Sequence, residues 1–239
     1  MSLYLSRIIL NPRSKAVMHD LGSPRELHKT ISRCFPPIND KVGSPENGRS
    51  TPRSAYNLLH RLDRRYDSFV LYVQSSIEPD WDRLSPGYAD RADAKPIDRL
   101  YDGIRVGDRL IFRLAANPTK RVGKSDSFSN EKFKDPKKRR RVDIRSETDR
   151  IDWLKRKGEE CGFRLCEVKL ADGVPSVTTS MKPVLSFRHD KARVTLGSVV
   201  FDGVLEVTNA DAFRKALENG IGTGKAYGFG LMSIAPARQ

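Results

Sequence analysis

A glycine-rich segment near the carboxyl end, residues 220–230, sets tight limits on how this chain of 239 residues folds. Its sequence, GIGTGKAYGFG, places five glycines around Lys225 and two aromatic residues. Glycine lets the backbone turn with positive φ and approach a ligand closely, and successive main-chain amides beside a lysine suit a phosphate backbone. We therefore predict a main-chain phosphate site with contacts from Gly222, Gly224 and Lys225, followed by a buried strand at 231–234. A tight turn without a ligand is the alternative.

The spacing of these glycines does not match the common nucleotide loops. A Walker A loop requires glycine, four residues and then Gly-Lys-Ser/Thr, but Asn219 and Ala226 occupy the first and last of these positions. A dinucleotide-binding fingerprint opens a helix directly after a strand, but the preceding residues, 210–218, have a helical pattern. We therefore expect no nucleotide cofactor, and an ATP- or NAD-binding enzyme is the weakest hypothesis.

Composition favours a polyanionic partner and a cytoplasmic protein. The 44 Lys and Arg residues against 30 Asp and Glu give a net charge of +14, an excess that favours nucleic acid over a membrane surface. No apolar run approaches the length of a membrane span, and the first residues lack the layout of a signal peptide. The three cysteines include no Cys-x-x-Cys pair and the histidines have no metal-ligand spacing, so we expect neither a disulfide framework nor a metal site.

The order of elements predicts two α/β units of β-α-β-β-α-β character, whose open sheets suit RNA. In the first unit, Ser23-Pro24-Arg25-Glu26 has the pattern of a capping box and begins a helix that ends near residue 35. Its other expected elements are strands at 3–10, 56–62 and 69–77, a short helix at 81–89 and a polar connection at 91–103. Those of the second unit are strands at 109–114, 163–170, 204–207 and 231–234, a hairpin at 184–201 and helices at 148–160 and 210–218.

A strongly basic segment, residues 120–145, interrupts the second unit. It has few large apolar residues and contains the run KKRRR at 137–141. Charge runs of this kind are usually solvated. A loop that contacts RNA and a flexible insert are equally consistent with the pattern.

His28, one of four histidines, is the residue best suited to acid–base chemistry. It stands at the border between the two faces of the first predicted helix. The apolar face holds Leu27, Ile31 and Cys34, and the basic stripe holds Arg25, Lys29 and Arg33. Histidine exchanges a proton near neutral pH and nearby cations attract phosphate, which together fit RNA cleavage by the 2′-hydroxyl. A border position occupied only for packing is the alternative.

Several segments occur in an order that is typical of a known family. They are LYLSRIILNP at 3–12, LHKT at 27–30, FRLAANPTK at 112–120, VFDGVL at 200–205 and the glycine-rich ending from 220 to 236. Together they resemble the CasE family, the repeat-processing endoribonucleases of type I-E CRISPR systems. The matches span nearly the whole chain, and their specificity lies in their combination.

The resemblance implies an α+β fold of two tandem ferredoxin-like (RRM-like) domains, each an antiparallel sheet with helices on one face. The expected N-terminal domain, residues 1–97, carries the catalytic helix, and residues 98–107 form a linker. The expected C-terminal domain, residues 108–239, contains the basic insert (120–145), an RNA-binding hairpin (184–201) and the glycine-rich loop (220–230).

The resemblance also implies an activity. The protein would cleave CRISPR repeat RNA at the base of its stem-loop without a metal, through attack by a 2′-hydroxyl that leaves a 2′,3′-cyclic phosphate. The mature crRNA would stay bound, and the protein would remain with the other subunits of the Cascade complex.

Site residues follow from the matching motifs. His28 matches the family's catalytic histidine, and Arg33 matches a basic position that supports the active site. The remaining expected RNA contacts are Lys29 and Lys120 in the matching segments and Arg188, Lys191 and Arg193 at the hairpin, where relatives insert arginines into the major groove of the stem.

One position departs from the family pattern. Some relatives carry a tyrosine three residues before the catalytic histidine, where this chain has Arg25. We expect Arg25 to bring positive charge to the scissile phosphate without the chemistry of a phenolic hydroxyl. The role of His28 as base, acid or positioning group stays open, and a module that binds the stem-loop without cutting it is the alternative function.

Overall fold

The structure, a computed structural model, describes residues 2–37, 55–122, 140–168, 171–189 and 192–237. These residues form two large antiparallel sheets with helices packed against them, and two separate two-stranded sheets. Most of the basic insert, residues 123–139, and the hairpin residue Lys191 lie outside the described residues.

The first sheet contains four strands that pair antiparallel in the order β2-β3-β1-β4. Their bounds are Tyr4–Leu10 (β1), Leu59–Arg64 (β2), Phe69–Ser75 (β3) and Ala89–Pro96 (β4). Helices α1 (Lys15–Leu21) and α2 (Pro24–Arg33) follow β1. Ile8 of β1 and Val73 of β3 share a buried cluster with Leu27 and Ile31 of α2, so α2 covers one face of this sheet.

The second sheet follows a short helix, α3 (Asp98–Asp102). Its main strands are β5 (Arg109–Ala116), β11 (Val177–His189), β12 (Ala192–Val207) and β13 (Met232–Pro236), in the antiparallel order β11-β12-β5-β13. A fifth strand of this sheet is β8 (Phe163–Leu165). The two separate two-stranded sheets consist of β6 (Thr119–Val122) with β7 (Arg140–Asp143) and of β9 (Glu167–Val168) with β10 (Ala171–Pro175). Strand β8 pairs with β12, β6 with β7, and β9 with β10.

Two helices complete the second unit, α4 (Glu147–Cys161) and α5 (Ala210–Asn219). They bury Trp153 and Phe213 in one cluster with Phe112 of β5 and Phe201 of β12. When the four main strands of each sheet are numbered by their order in the chain, they lie side by side in the order 2-3-1-4. This is the ferredoxin-like order. The predicted α+β fold of two tandem ferredoxin-like domains is therefore confirmed.

Several local predictions for the first unit were wrong. Ser23 makes no capping hydrogen bond with its side chain, although Pro24 begins α2 as predicted. The helix expected at 81–89 is only a 3-10 turn, Trp81–Arg83. The connection expected from residue 91 is an edge strand, β4, whose Ala and Asp residues have little intrinsic β preference and are held by pairing with β1.

The boundaries 1–97, 98–107 and 108–239 remain a prediction. The expected linker contains α3, and its residues Tyr101 and Ile104 are buried in the core of the second unit.

Polar side chains buried between the units hold them together. Nε2 of Gln74 on β3 donates to the main-chain carbonyls of Leu217, at 2.9 Å, and Glu218, at 3.1 Å. The hydroxyl of Tyr101 donates to Oε1 of Gln74 at 3.0 Å. Because the fully buried amide is satisfied at both ends, it fixes β3 against the end of α5 at little desolvation cost.

Candidate active site

The amphipathic pattern of α2 places His28 at the edge of the buried face, as predicted. Leu27, Ile31 and the following residue Cys34 are buried, whereas His28 is half-buried. Arg25 lies one turn earlier and is also half-buried. The helix therefore presents an imidazole and a guanidinium at the border between core and solvent.

The imidazole of His28 stacks on a second imidazole, which comes from β2. The ring centroids of His28 and His60 lie 5.8 Å apart, and the ring planes form an angle of 22°. His60 pairs with Val73 in the strand register, and since paired residues share a face of the sheet, it points towards the side that α2 covers. It is 1% exposed. The helix residue thus rests on a ring that belongs to the sheet.

Burial keeps His60 neutral. Removal of the ring from water, together with the charge of His28, lowers the pKa of His60 from its ordinary value to about 3. Neither ring nitrogen of His60 has a hydrogen-bond partner among the described residues. A buried polar group without a partner costs about 1–3 kcal/mol, so histidine is an unfavourable residue for stability at this position.

The glycine-rich segment folds against α2 and β2. Its 3-10 helix, Lys225–Tyr227, contacts both elements, and a Cβ at Gly228 would lie 3.5 Å from Nε2 of His60. Gly220 lies against β2, where a Cβ would come within 2.8 Å of the Leu59 side chain. All five glycines of the segment have positive φ, as predicted. The segment and α2 therefore form one site across the two units.

Gly222 and Gly224, which the sequence predicted as RNA contacts, have φ of +85° and +76°, which favours glycine, and both lie beside aromatic side chains. A Cβ at Gly222 would lie 3.3 Å from the indole of Trp153, and a Cβ at Gly224 would lie 2.8 Å from the ring of Phe229. Contacts of their main-chain amides with RNA stay a prediction, as does a contact from Lys225.

The hairpin is longer than predicted and reaches the same helix. Strands β11 and β12 pair along nearly their whole length, and β11 contacts α2. At the tip, Arg188 and Arg193 are opposite each other in the strand register. Their roles as RNA contacts, and that of Lys191 outside the described residues, stay predictions. Three segments marked by the sequence, α2, the hairpin and the glycine-rich segment, therefore converge on one site.

Two of the expected RNA-binding lysines form surface ion pairs. Nζ of Lys29 lies 2.7 Å from Oε1 of Glu26 on α2, and this hydrogen bond lowers the pKa of the Glu26 carboxyl. Nζ of Lys120 lies 3.9 Å from Oδ2 of Asp149 at the start of α4. Arg33, the last residue of α2, is exposed. Because exposed pairs are weak, RNA phosphates can replace the two carboxylates. The RNA contacts of Lys29 and Lys120 and the active-site role of Arg33 stay predictions.

His60 is a residue of this site that the sequence did not single out. A signal was present, because Leu58 and Leu62 flank it at alternate positions and pack in the first core. A histidine between two core leucines interrupts the apolar pattern of a buried strand face. Its contact with His28, in contrast, depends on how α2 packs on β2 and has no local signature.

Metal-ligating side chains do not cluster in the described part of the chain: no group of three or more His, Cys, Asp or Glu residues there could hold a metal ion. Over the same ranges, no helix combines the length and apolar character that crossing a membrane requires.

Comparison with known proteins assigns the chain to a family. A family model described as "CRISPR associated protein" matches residues 3–236. The chain is 28% identical over 239 residues to the Cascade subunit CasE of Escherichia coli, with 98% of this chain and all of that protein covered. The chain belongs to the CasE family. The resemblance found in the sequence motifs is therefore confirmed.

Relatives within the CasE family include an enzyme. The CRISPR-associated endoribonuclease Cse3 of Thermus thermophilus is 33% identical over 242 residues, covering 98% of this chain and all of that protein. A solved structure of Thermus thermophilus Cse3, bound to an RNA that represents a pre-cleavage complex, superposes with a TM-score of 0.76 at 31% identity. It covers 99% of this chain and 100% of that one, so both ferredoxin-like units have counterparts in an RNA-bound CasE-family structure.

Proposed function

We propose that this chain is an endoribonuclease that cleaves CRISPR repeat RNA at the base of its stem-loop and then retains the mature crRNA as a subunit of Cascade. The observation that carries the proposal is full-length similarity to the endoribonuclease Cse3 and to the Cascade subunit CasE, combined with a half-buried histidine where three motif segments meet. The net charge of +14 suits an RNA partner.

The reaction is an internal transesterification. The 2′-oxygen of the nucleotide before the cut attacks the neighbouring phosphorus, and the bond from phosphorus to the 5′-oxygen breaks. The products are a 2′,3′-cyclic phosphate and a 5′-hydroxyl. One proton leaves the 2′-hydroxyl and one reaches the departing 5′-oxygen, so a single imidazole can serve either transfer.

His28 is the proposed proton-transfer group, and cations around it stabilise the charge that develops on the phosphate. Arg25 is half-buried one turn before His28, and Arg33 is exposed at the end of α2. Guanidinium groups held near a reacting phosphate stabilise its transition state more than its ground state. The pH–rate profile assigns the role of His28: a rate that falls with decreasing pH marks a base, and one that falls with increasing pH marks an acid.

Recognition of the stem-loop is assigned to the hairpin and to the glycine-rich segment. Both contact α2, so an RNA stem held by the hairpin would present its base to His28. Main-chain amides of Gly222 and Gly224 and the ammonium of Lys225 are the proposed phosphate contacts. Lys29, Lys120, Arg188, Lys191 and Arg193 complete the proposed RNA-binding set.

The direct test incubates the protein with end-labelled cognate repeat RNA in EDTA and resolves the products. We expect cleavage without a metal, a cyclic phosphate at the new 3′ end, and no cleavage of RNA with a 2′-deoxy substitution before the cut. His28→Ala should lower the single-turnover rate by roughly 10²–10⁴-fold. His19→Ala is the matched control, because His19 is also helical but has a side chain that is 70% exposed. Full activity of His28→Ala would contradict the assignment.

A second candidate function is a module that binds the stem-loop without cutting it. Arg25 favours this function, since a guanidinium cannot supply the hydroxyl chemistry of the tyrosine found in some relatives. Tight binding with no product after long incubation, in EDTA and with added divalent ions, would support the module and contradict the nuclease.

We also propose a cytoplasmic location. Cys34, Cys161 and Cys166 are all free thiols, a state that a reducing compartment maintains.

A further inference from the structure

His60 combines three features that a core residue chosen for packing does not need. It is 1% exposed, both of its ring nitrogens lack a hydrogen-bond partner among the described residues, and its ring stacks on that of His28. We propose that His60 is a positioning residue for His28, the fixed ring that holds the imidazole of His28 in place for RNA cleavage. This inference rests on the proposed function.

The location of His60 gives it the rigidity that this role requires. It lies in β2, which pairs along its length with β3, and its neighbours Leu58 and Leu62 pack in the first core. On its other side lies Gly228, where a built Cβ would be in ordinary van der Waals contact with the ring, 3.5 Å from Nε2. Because the His60 ring is enclosed by the sheet and by the glycine-rich segment, it is held in one orientation against His28.

The position of His28 makes such support necessary. It is half-buried at the edge of α2, where a side chain with two rotatable bonds can turn towards solvent. Proton transfer requires the imidazole nitrogen within hydrogen-bond reach of a ribose or phosphate oxygen, and active-site groups depend on neighbours that lock their rotamers. Offset stacking of the two rings, with centroids 5.8 Å apart, supplies such a constraint.

Proton transfer through His60 itself does not fit the same geometry. Water is excluded from the ring, and no described residue accepts or donates a hydrogen bond at either nitrogen. Apart from burial, His28 is the charged group that lowers the pKa of His60. Gly228, on the other side of the ring, has no titratable side chain. His60 therefore acts through shape, and a ring without nitrogens should replace it.

The test compares two substitutions of similar size. His60→Leu removes the ring, and His60→Phe keeps a ring without nitrogens. His19→Leu is the control for loss of a histidine, because its side chain is 70% exposed. Thermal unfolding of each variant comes first, and we expect both His60 variants to unfold no lower than the wild type because neither buries orphan polar atoms.

The first readout needs no RNA. In crystal structures, we expect the His28 ring of His60→Leu to lose its single orientation while the α2 backbone stays in place. In His60→Phe the ring should keep the wild-type orientation. An unchanged His28 ring in His60→Leu overturns the proposal, and this comparison decides it even if the wild type proves to cut no RNA, which would refute only the proposed function.

The second readout is single-turnover cleavage at saturating repeat RNA. We expect His60→Leu to lose at least about tenfold in rate, since misplacement of a catalytic group has effects of this order, with RNA binding unchanged. His60→Phe should cleave within about threefold of the wild type, as expected when ring placement is preserved. A leucine variant with full activity overturns the proposal. So does a folded phenylalanine variant as slow as His28→Ala, because the nitrogens would then be needed.

Discussion

Arg61 on β2 donates a hydrogen bond of 3.2 Å to the main-chain carbonyl of Leu231, the residue that follows the glycine-rich segment. The same guanidinium donates to the carbonyl of Arg113 on β5, also at 3.2 Å, and pairs with Asp63 at 3.1 Å. Its side chain is 3% exposed. A buried cation on the strand of His60 thus fixes the end of the segment that packs over His60.

We expect Arg61→Met to destabilise the protein by roughly 3–5 kcal/mol, because it leaves the carboxylate of Asp63 buried without its main partner and removes the hydrogen bonds donated to the carbonyls of Arg113 and Leu231. The measurement is urea unfolding of the wild type and the variant. Arg65→Met is the control, since Arg65 is exposed at the β2–β3 turn and surface changes usually cost less than about 0.5 kcal/mol. Equal stability of the two variants would contradict a structural role for the buried guanidinium.

Gly220 should tolerate a side chain poorly for two separate reasons. Its φ is +77°, and a Cβ would lie 2.8 Å from Leu59. Its ψ of 153° places the backbone in a region that only glycine adopts readily, and we expect Gly220→Ala to cost about 1–3 kcal/mol for this backbone strain. Overlap with Leu59 should add an amount on the order of 1–3 kcal/mol. Cleavage should also slow, because the glycine-rich segment must shift against β2.

Gly107→Ala separates the backbone strain from the overlap with Leu59. Gly107 has φ +90° and no atom within 4 Å of a built Cβ, so the variant carries the backbone strain alone. Thermal and urea unfolding of both variants give the difference. If Gly107→Ala loses as much stability as Gly220→Ala, the contact with Leu59 is not tight.

Burial of neutral His60 should make the protein less stable in acid. The pKa of His60 is about 3 in the folded state and about 6.5 for an exposed histidine, so between these values the unfolded chain binds a proton that the folded chain excludes. Stability is therefore full above pH 6.5 and is lost as the pH falls. Linkage gives a loss of roughly 2 kcal/mol between pH 7 and pH 5 from this group.

The measurement for this prediction is urea unfolding of the wild type and His60→Leu at several pH values. Other titrating groups are common to both proteins, so the difference isolates His60. The stability of the leucine variant should fall less on acidification by roughly 2 kcal/mol at pH 5. Parallel pH dependences would mean that folding does not lower the pKa of His60.

Local patterns in the sequence predicted α2, His28 at its edge and the positive φ of the glycine-rich segment, since periodicity and glycine spacing are properties of neighbouring residues. Strand β4 was not predicted, because its Ala and Asp residues are poor strand formers and its partner, β1, is distant in the sequence. The His28–His60 stack was missed for a similar reason. It forms only when a helix and a strand from distant parts of the chain pack together, and a short stretch of sequence contains no pattern that predicts this packing.

RNA binding should weaken steeply with salt, because each phosphate contact releases counterions. Replacement of Arg193 by Ala tests the hairpin. If the guanidinium reads a guanine edge, the binding free energy should weaken by about 1–3 kcal/mol. If it contacts a phosphate, the plot of log binding constant against log salt concentration should be shallower by about one unit of slope. Arg164→Ala is the control, since Arg164 is already paired with Glu206 at 2.8 Å. Unchanged affinity and slope for Arg193→Ala would show that the hairpin is not the stem reader.

Arg25 stands where some relatives have tyrosine, and its charge is the property that RNA cleavage can use. Since a single preorganised donor to a developing charge contributes roughly 10²–10³-fold, we expect Arg25→Ala to lower the single-turnover rate by about that factor. Arg25→Lys should retain part of the rate, because the charge remains while the planar fork of donors is lost.

The repeat-RNA dissociation constant separates catalysis from binding in these variants. If Arg25 acts on the transition state, Arg25→Ala lowers the rate at saturating RNA and leaves binding almost unchanged. Arg99→Ala, at an exposed arginine of α3, should change neither quantity. A loss confined to binding would make Arg25 a phosphate anchor. In that case Arg25 would not stabilise the transition state, and His28 would be the only one of the two residues that takes part in the chemistry.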